Sequence, residues 1–292
     1  MRLGTLIFAA ALIAAAPAWA QSTLTLEANP VPIVDAQING RPVRLEVDLT
    51  FPRGLALSTQ AAERIGVRRV PFVGIRIALE GSDASIGGRV ARPRITFRGA
   101  ADDESTSAFS GVFAAPVSTR ADGVIGPGVL PYDVVVVRVR PAQEGARDIA
   151  FNLSDNDEWV TRTEAGGQSV LVNFNPGVEG SVFNRTAARV FDASGGIQAA
   201  GALAEMPVVL GLRTQMQPVT TSLDVNGIPV GPSFARTNAP LLGADEEDAV
   251  VVEAEPRDPP PARITLGRAA LSNCSTITVE RRTRRLTLRC AL

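Results

Sequence analysis

Acid–base chemistry in this chain can come only from its 30 carboxylates, from Tyr132, and from Cys274 and Cys290, because the sequence contains neither His nor Lys. The two absences exclude a Ser-His-Asp triad, a Cys-His dyad and a histidine-bound catalytic zinc. They also exclude a Schiff-base lysine, a Ser-Lys dyad and a P-loop lysine. One carboxylate stands apart by context: Asp48 ends the apolar run Leu45-Glu46-Val47-Asp48-Leu49-Thr50. A lone Asp at a strand end commonly caps a turn or pairs with an Arg. The two cysteines flank a segment in which Ile277 and Val279, then Leu286 and Leu288, alternate with polar residues around a turn centred on Arg282. That register sets Cys274 opposite Cys290 and predicts a cross-strand disulfide. Two thiols without His or a third Cys make a poor metal site, so the reading is no metal and no cofactor. The acidic runs Asp102-Asp103-Glu104 and Asp245-Glu246-Glu247-Asp248 lack EF-hand spacing and read as solvated loops.

The elements that must position these residues are mostly strands. Runs rich in Val, Ile and Thr occur at Pro32 to Val34, Val43 to Val47, Val73 to Leu79, Arg94 to Phe97, Val134 to Val139, Val170 to Phe174, Val219 to Val225 and Ile228 to Val230. Asn39-Gly40 and Asn226-Gly227 sit between such runs as hairpin turns. Helical patterning is confined to Thr59 to Ile65 after a cap at Ser58, and Arg185 to Phe191 after a cap at Asn184. Those helices expose an internal repeat. A strand ending in Asp48, a loop with Gly54, Ser58 and a short helix are matched by a strand ending in Asn175, a loop with Gly180, Asn184 and a second short helix. Later, Val124-Ile125-Gly126 and Thr265-Leu266-Gly267 form a second matched pair, each followed by a Leu and a strand.

This pattern resembles the pepsin and retropepsin-like aspartic peptidases over roughly residues 30 to 290. In that family each lobe carries an Asp-Thr-Gly at the end of an apolar strand and a later apolar-apolar-Gly beside it. Asp48-Leu49-Thr50 and Asn175-Pro176-Gly177 stand at the two Asp-Thr-Gly places, and the glycine steps fall at Gly126 and Gly267. The resemblance implies a mostly-β, two-lobed aspartic-peptidase-like (acid protease) β-barrel architecture with short helices. It divides the chain into an N-terminal β lobe over 21–140, an inter-lobe linker over 141–165 and a C-terminal β lobe over 166–292. Catalysis in the family needs two carboxylates sharing one proton, which here would fall to Asp48 and Asn175. Asn has the size of Asp but cannot exchange a proton near neutral pH. Leu49 and Pro176 lack the hydroxyl that bonds across the lobes, Thr50 adds a Cβ where the family has Gly, and only Gly177 keeps the family residue at that third place. Tyr132, just after the first glycine step, cannot serve as the tyrosine of a flap. The implied protein is catalytically silent and binds an extended peptide or unfolded protein segment in the cleft, near Asp48, Asn175, Thr50 and Gly177. One alternative is a divergent, active aspartic endopeptidase that pairs Asp48 with another acid. Asp224 is its candidate, although Asp224-Val225-Asn226-Gly227 reads as a hairpin turn. Another is a structural exported protein without a ligand.

Residues 1–20 read as a signal peptide. Met1-Arg2 is a positive start, Leu6 to Ala16 an apolar run, and Ala18-Trp19-Ala20 a cleavage site before Gln21. An exported protein, periplasmic or secreted, follows, in a compartment where disulfides persist. With 29 basic against 30 acidic residues, net charge offers no basic face for nucleic acid and no polybasic patch for lipid, so neither nucleic acid nor, after signal cleavage, membrane is an expected partner.

Overall fold

The computed structural model of the protein describes residues 22–51, 54–78, 85–98, 106–107, 110–155, 158–237 and 260–292. The expected signal segment and the two acidic runs lie outside them. The fold is mostly β, as the Val/Ile/Thr runs predict. A nine-stranded sheet gathers strands between Ile33 and Ile125, and a thirteen-stranded sheet gathers Thr23–Glu27 with strands from Val134 to Cys290. Among the described residues no helix is long and apolar enough to cross a membrane.

The two halves use one set of pairings. In the first, Arg41–Val47 lies parallel to Gly123–Ile125, which runs antiparallel to Leu55–Ser58, itself parallel to Ser110–Phe113. In the second, Gln168–Phe174 lies parallel to Arg263–Leu266, which runs antiparallel to Ser181–Phe183, itself parallel to Ser233–Arg236. Each set is entered through a hairpin, Ile33–Ile38 with Arg41–Val47 and Val160–Ala165 with Gln168–Phe174.

Local chemistry fixes many of the corners. Asn39 and Gly40 take φ of 52° and 76°, and Asn226 and Gly227 take 52° and 82°, the left-handed pair that a two-residue hairpin needs. Ser58 Oγ accepts from Ala61 N at 3.2 Å and Asn184 Oδ1 from Ala187 N at 2.9 Å, capping helices Thr59–Arg64 and Arg185–Ala193. Each cap contributes about 1 kcal/mol. The helices then bury Ala61 and Ala62, and Ala187, Ala188 and Phe191, against the strands they follow.

Two readings change in detail. The run expected from Val219 to Val225 breaks at residues 222–223, where Thr221 Oγ1 accepts from Leu223 N at 3.1 Å and turns the chain, leaving strands Arg213–Thr221 and Asp224–Val225. The segment 141–165 is largely strand: Arg147–Asp155 pairs with Arg285–Cys290 and with Val160–Ala165. Its Asp148 and Asn152 sit on exposed positions of a ladder whose partners, Arg289 and Arg285, are remote in sequence.

The last hairpin carries the disulfide Cys274–Cys290. Its turn spans 281–284, so Glu280 faces Arg285, one half-residue beyond the expected centre. A bulge at Ser275 restores Cys274 to a position opposite Cys290. Both sulfurs are buried among Ile277, Val279, Leu286 and Leu288. Cys274→Ser is expected to lower unfolding free energy by about 2–4 kcal/mol on loop-entropy grounds. Urea titration reads this directly, and a midpoint equal to wild type would remove the stapling role.

Candidate functional site

Asp48 and Asn175 are delivered by the same local construction. Asp48 N donates to Ile125 O at 3.1 Å and Asn175 N to Leu266 O at 2.9 Å, each extending a parallel pairing by one residue. Each side chain then accepts from the backbone two residues on: Thr50 N to Asp48 Oδ1 at 2.8 Å, and Gly177 N to Asn175 Oδ1 at 2.8 Å. The main chain closes behind them, Phe51 N on Asp48 O at 3.1 Å and Val178 N on Asn175 O at 3.3 Å.

The two side chains meet. Asn175 Nδ2 donates to Asp48 Oδ1 at 2.9 Å and lies 3.4 Å from Thr50 Oγ1. The amide orientation follows from the bonds themselves, since the Gly177 N–H requires an oxygen on its side and leaves the amino group facing the carboxyl. Thr50, which carries a Cβ where the resembled family has Gly, turns its hydroxyl onto Asp48 Oδ1 at 2.7 Å. Its backbone is not left-handed, so no glycine is required there. The bonds from Thr50 and Asn175 all fall on Oδ1 of Asp48, a residue that lines a cleft. Burial in the cleft wall desolvates the carboxyl and raises its pKa above the ordinary 3.8 against the opposing pull of bonds from Thr50, Phe51 and Asn175.

The neighbours that depart from an Asp-Thr-Gly are used for packing. Leu49 is 2% exposed within the main apolar core, and Pro176 is buried as well. Tyr132 is remote from the carboxyl: its hydroxyl donates to Arg98 O at 2.7 Å, its ring packs edge-on to Phe97, and burial raises its pKa. Asp224 is exposed at a hairpin, where its Oδ1 accepts from Gly227 N at 2.8 Å. Asp48 and Asn175 line a cleft of about 490 Å³. Its first-half lining includes Glu46, Thr50 and residues 116–120, and its second-half lining includes Gly177, Glu179 and part of the hairpin formed by Ala204–Pro207 and Arg213–Thr221. The other cleft acids are engaged: Glu46 accepts from Ser118 Oγ at 2.7 Å, and Glu179 pairs with Arg268 at 3.4 Å.

Sequence patterning does not mark the cleft-facing hairpin or the 116–120 loop as part of a site. The hairpin signal was present in Val208-Val209-Leu210-Gly211-Leu212, an apolar run containing Gly between two stretches of alternating character.

The raised pKa of Asp48 gives a stability prediction with a definite sign. The folded state holds this proton more tightly than the unfolded chain, so the favourable contribution is complete below the unfolded pKa and is lost as pH rises through the folded one. Asp48→Asn keeps an oxygen for the Thr50 and Asn175 donors and removes the ionisation. It is expected to match wild type near pH 3 and to be more stable at pH 7, by about 1 kcal/mol, a usual gain when a destabilising functional group is replaced. Urea unfolding from pH 3 to 7 checks this, and a variant less stable than wild type at pH 7 would refute it.

What the geometry supplies chemically is one carboxyl group and one fixed amide donor, 2.9 Å apart, on the floor of a cleft between two halves of like topology. No family model and no curated protein matches the chain.

Proposed function

We propose that the chain is an exported protein of two-lobed, aspartic-peptidase type that has lost peptide-bond hydrolysis and binds an extended peptide or unfolded protein segment in its cleft. The observation that carries this reading is the Asn175 Nδ2 donor on Asp48 Oδ1 at 2.9 Å. Hydrolysis by a carboxylate pair requires one acid to take a proton from water while its protonated partner stabilises the carbonyl oxygen. An amide at the second place can hold the first carboxyl but can neither take nor return a proton. The repeated strand pairings support the two-lobed architecture, and the disulfide is compatible with an oxidising compartment. Extended chains are held chiefly through main-chain hydrogen bonds, a mode that does not depend on turnover.

The test uses reduced, carboxymethylated casein as an unfolded polypeptide. Saturable binding by fluorescence anisotropy, with no cleavage between about pH 3 and 7, is expected. Pepstatin-sensitive cleavage that disappears in Asp48→Ala would instead establish an active peptidase. Absence of binding to casein would leave the chain without a peptide ligand and defeat the proposal.

A further inference from the structure

The hairpin Ala204–Pro207/Arg213–Thr221 ends in a tip whose Val208 N donates to Leu212 O at 2.8 Å. Within this tip Leu210 adopts φ 58° and ψ 30°. That left-handed backbone disfavours a branched side chain, so surrounding contacts must hold it. Leu210 is nevertheless only 2% exposed. It packs with Leu212 in an apolar cluster whose remaining buried members, among them Phe51, Phe113, Val117 and Val124, belong to the first half of the chain. Gly211 follows at φ 72°, and a Cβ there would lie 3.0 Å from Pro116 O, so the tip rests against the 116–120 loop. Phe51 in turn is bonded through its N–H to the carbonyl of Asp48 at 3.1 Å. The Leu210 side chain is therefore inserted one loop away from the carboxyl, on the opposite half from the one that carries it.

We propose that the tip Val208–Leu212 is a built-in occupant of the cleft. Leu210 fills an apolar recess over Phe51, Val117 and Val124 that an aliphatic side chain of a bound peptide takes in its place, and a peptide enters by displacing the tip. The inference rests on the peptide-binding reading above and adds its regulation and its preference: the favoured ligand carries a Leu-sized, aliphatic side chain at the position beside Asp48. Two observations make the tip displaceable. Among the described residues no hydrogen bond or ion pair is seen joining 208–212 to the first half, and the contacts that are seen between them are apolar. Its backbone at Leu210 is also in an unfavourable conformation, which opening of the tip on withdrawal, with loss of the Val208 N to Leu212 O bond, would relieve. Met206 and Met216, outside the tip, line the same cleft of about 490 Å³.

The probe is carboxymethylated casein with full-length protein, and the variants are Leu210→Ala and Leu210→Gly. The glycine variant accepts the left-handed backbone and so guards against a folding failure in the alanine variant. Both are expected to bind casein at least about tenfold more tightly than wild type, and in casein-saturated wild type the Val208 amide should exchange its hydrogen faster than in free protein. Casein binding by wild type that is unchanged or weakened in both variants, or a Val208 amide that is equally or better protected in the complex, would show that the tip is a fixed brace and overturn the proposal while sparing the peptide-binding reading. Failure of all three proteins to bind casein would overturn both.

Discussion

Gly267→Ala is expected to destabilise the protein by about 4 kcal/mol or to prevent the second half from folding. A methyl group at 267 would lie 2.2 Å from the carbonyl oxygen of Gly180, 2.6 Å from its carbonyl carbon and 3.0 Å from Val178 O. All three are backbone atoms, which cannot swing aside as the end of a long side chain can. Nor can residue 267 retreat, because Arg263–Leu266 is pinned between Gln168–Phe174 and Ser181–Phe183. Relief requires the 178–180 loop to lift. That would strain or break Arg268 N to Val178 O at 2.8 Å and Ala269 N to Glu179 O at 2.9 Å, each contributing about 1 kcal/mol, in addition to about 1–3 kcal/mol for overpacking. The same loop begins at Gly177, whose N–H orients Asn175, so the casein binding proposed above should fall with stability. Gly87→Ala is the control, since a Cβ there meets nothing within 4 Å. Thermal unfolding should drop by about 10 °C for Gly267→Ala and by no more than about 3 °C for Gly87→Ala. Equal melting temperatures would remove the close approach from the account.

The same crowding explains which parts of the fold could be read from the sequence. Turns and caps were legible because their causes are local: Asn39-Gly40 and Asn226-Gly227 need no distant partner to favour a hairpin, and Ser58 and Asn184 cap the residues that immediately follow them. The meeting of Asp48 with Asn175 was legible for a different reason. A repeat places equivalent corners at equivalent ends of parallel strands, and the one-residue difference between the 49–54 and 176–180 loops leaves both corners intact. Strand Ser110–Phe113 was not legible, since it is buried at every position and shows no alternation. Ser85–Ala91 was hidden by Gly87 and Gly88. Gly88 is small because a Cβ would lie 2.6 Å from the Phe113 ring, a constraint set by a residue far along the chain. The hairpin bearing Leu210 was missed on similar grounds, because its apolar tip has its partners in the other half. What depends on long-range packing leaves only composition behind, and composition does not name a partner.

Asn175→Asp is expected to produce a protein that is close to wild-type stability near pH 4 and about 2–4 kcal/mol less stable at pH 7, still without peptidase activity. The Gly177 N–H continues to fix one oxygen, so the new one takes the place of Nδ2, 2.9 Å from Asp48 Oδ1 and 3.4 Å from Thr50 Oγ1. Two carboxyl groups about 3 Å apart cannot both ionise, and the folded pair retains one proton that the unfolded chain gives up above about pH 4. The pair's upper pKa is thereby raised in the folded state. Its contribution is complete below the unfolded pKa and is lost as pH rises through the folded one, which sets the direction of the loss at neutral pH. The magnitude is that of a closely placed, poorly compensated buried charge. A second acid at 175 would still lack the surroundings that a carboxylate pair needs. Leu49 is committed to the core and Pro176 has neither hydroxyl nor N–H, so the cross-half bonds that would hold two acids coplanar are missing. A displacement of about 1 Å can lower a rate by about 10²-fold, and unfolded casein should remain intact from about pH 3 to 7 with or without pepstatin. Stability that is the same at pH 4 and pH 7 would mean that the two side chains do not face each other. Pepstatin-sensitive cleavage by Asn175→Asp would mean that the missing carboxylate alone separates this protein from a working peptidase.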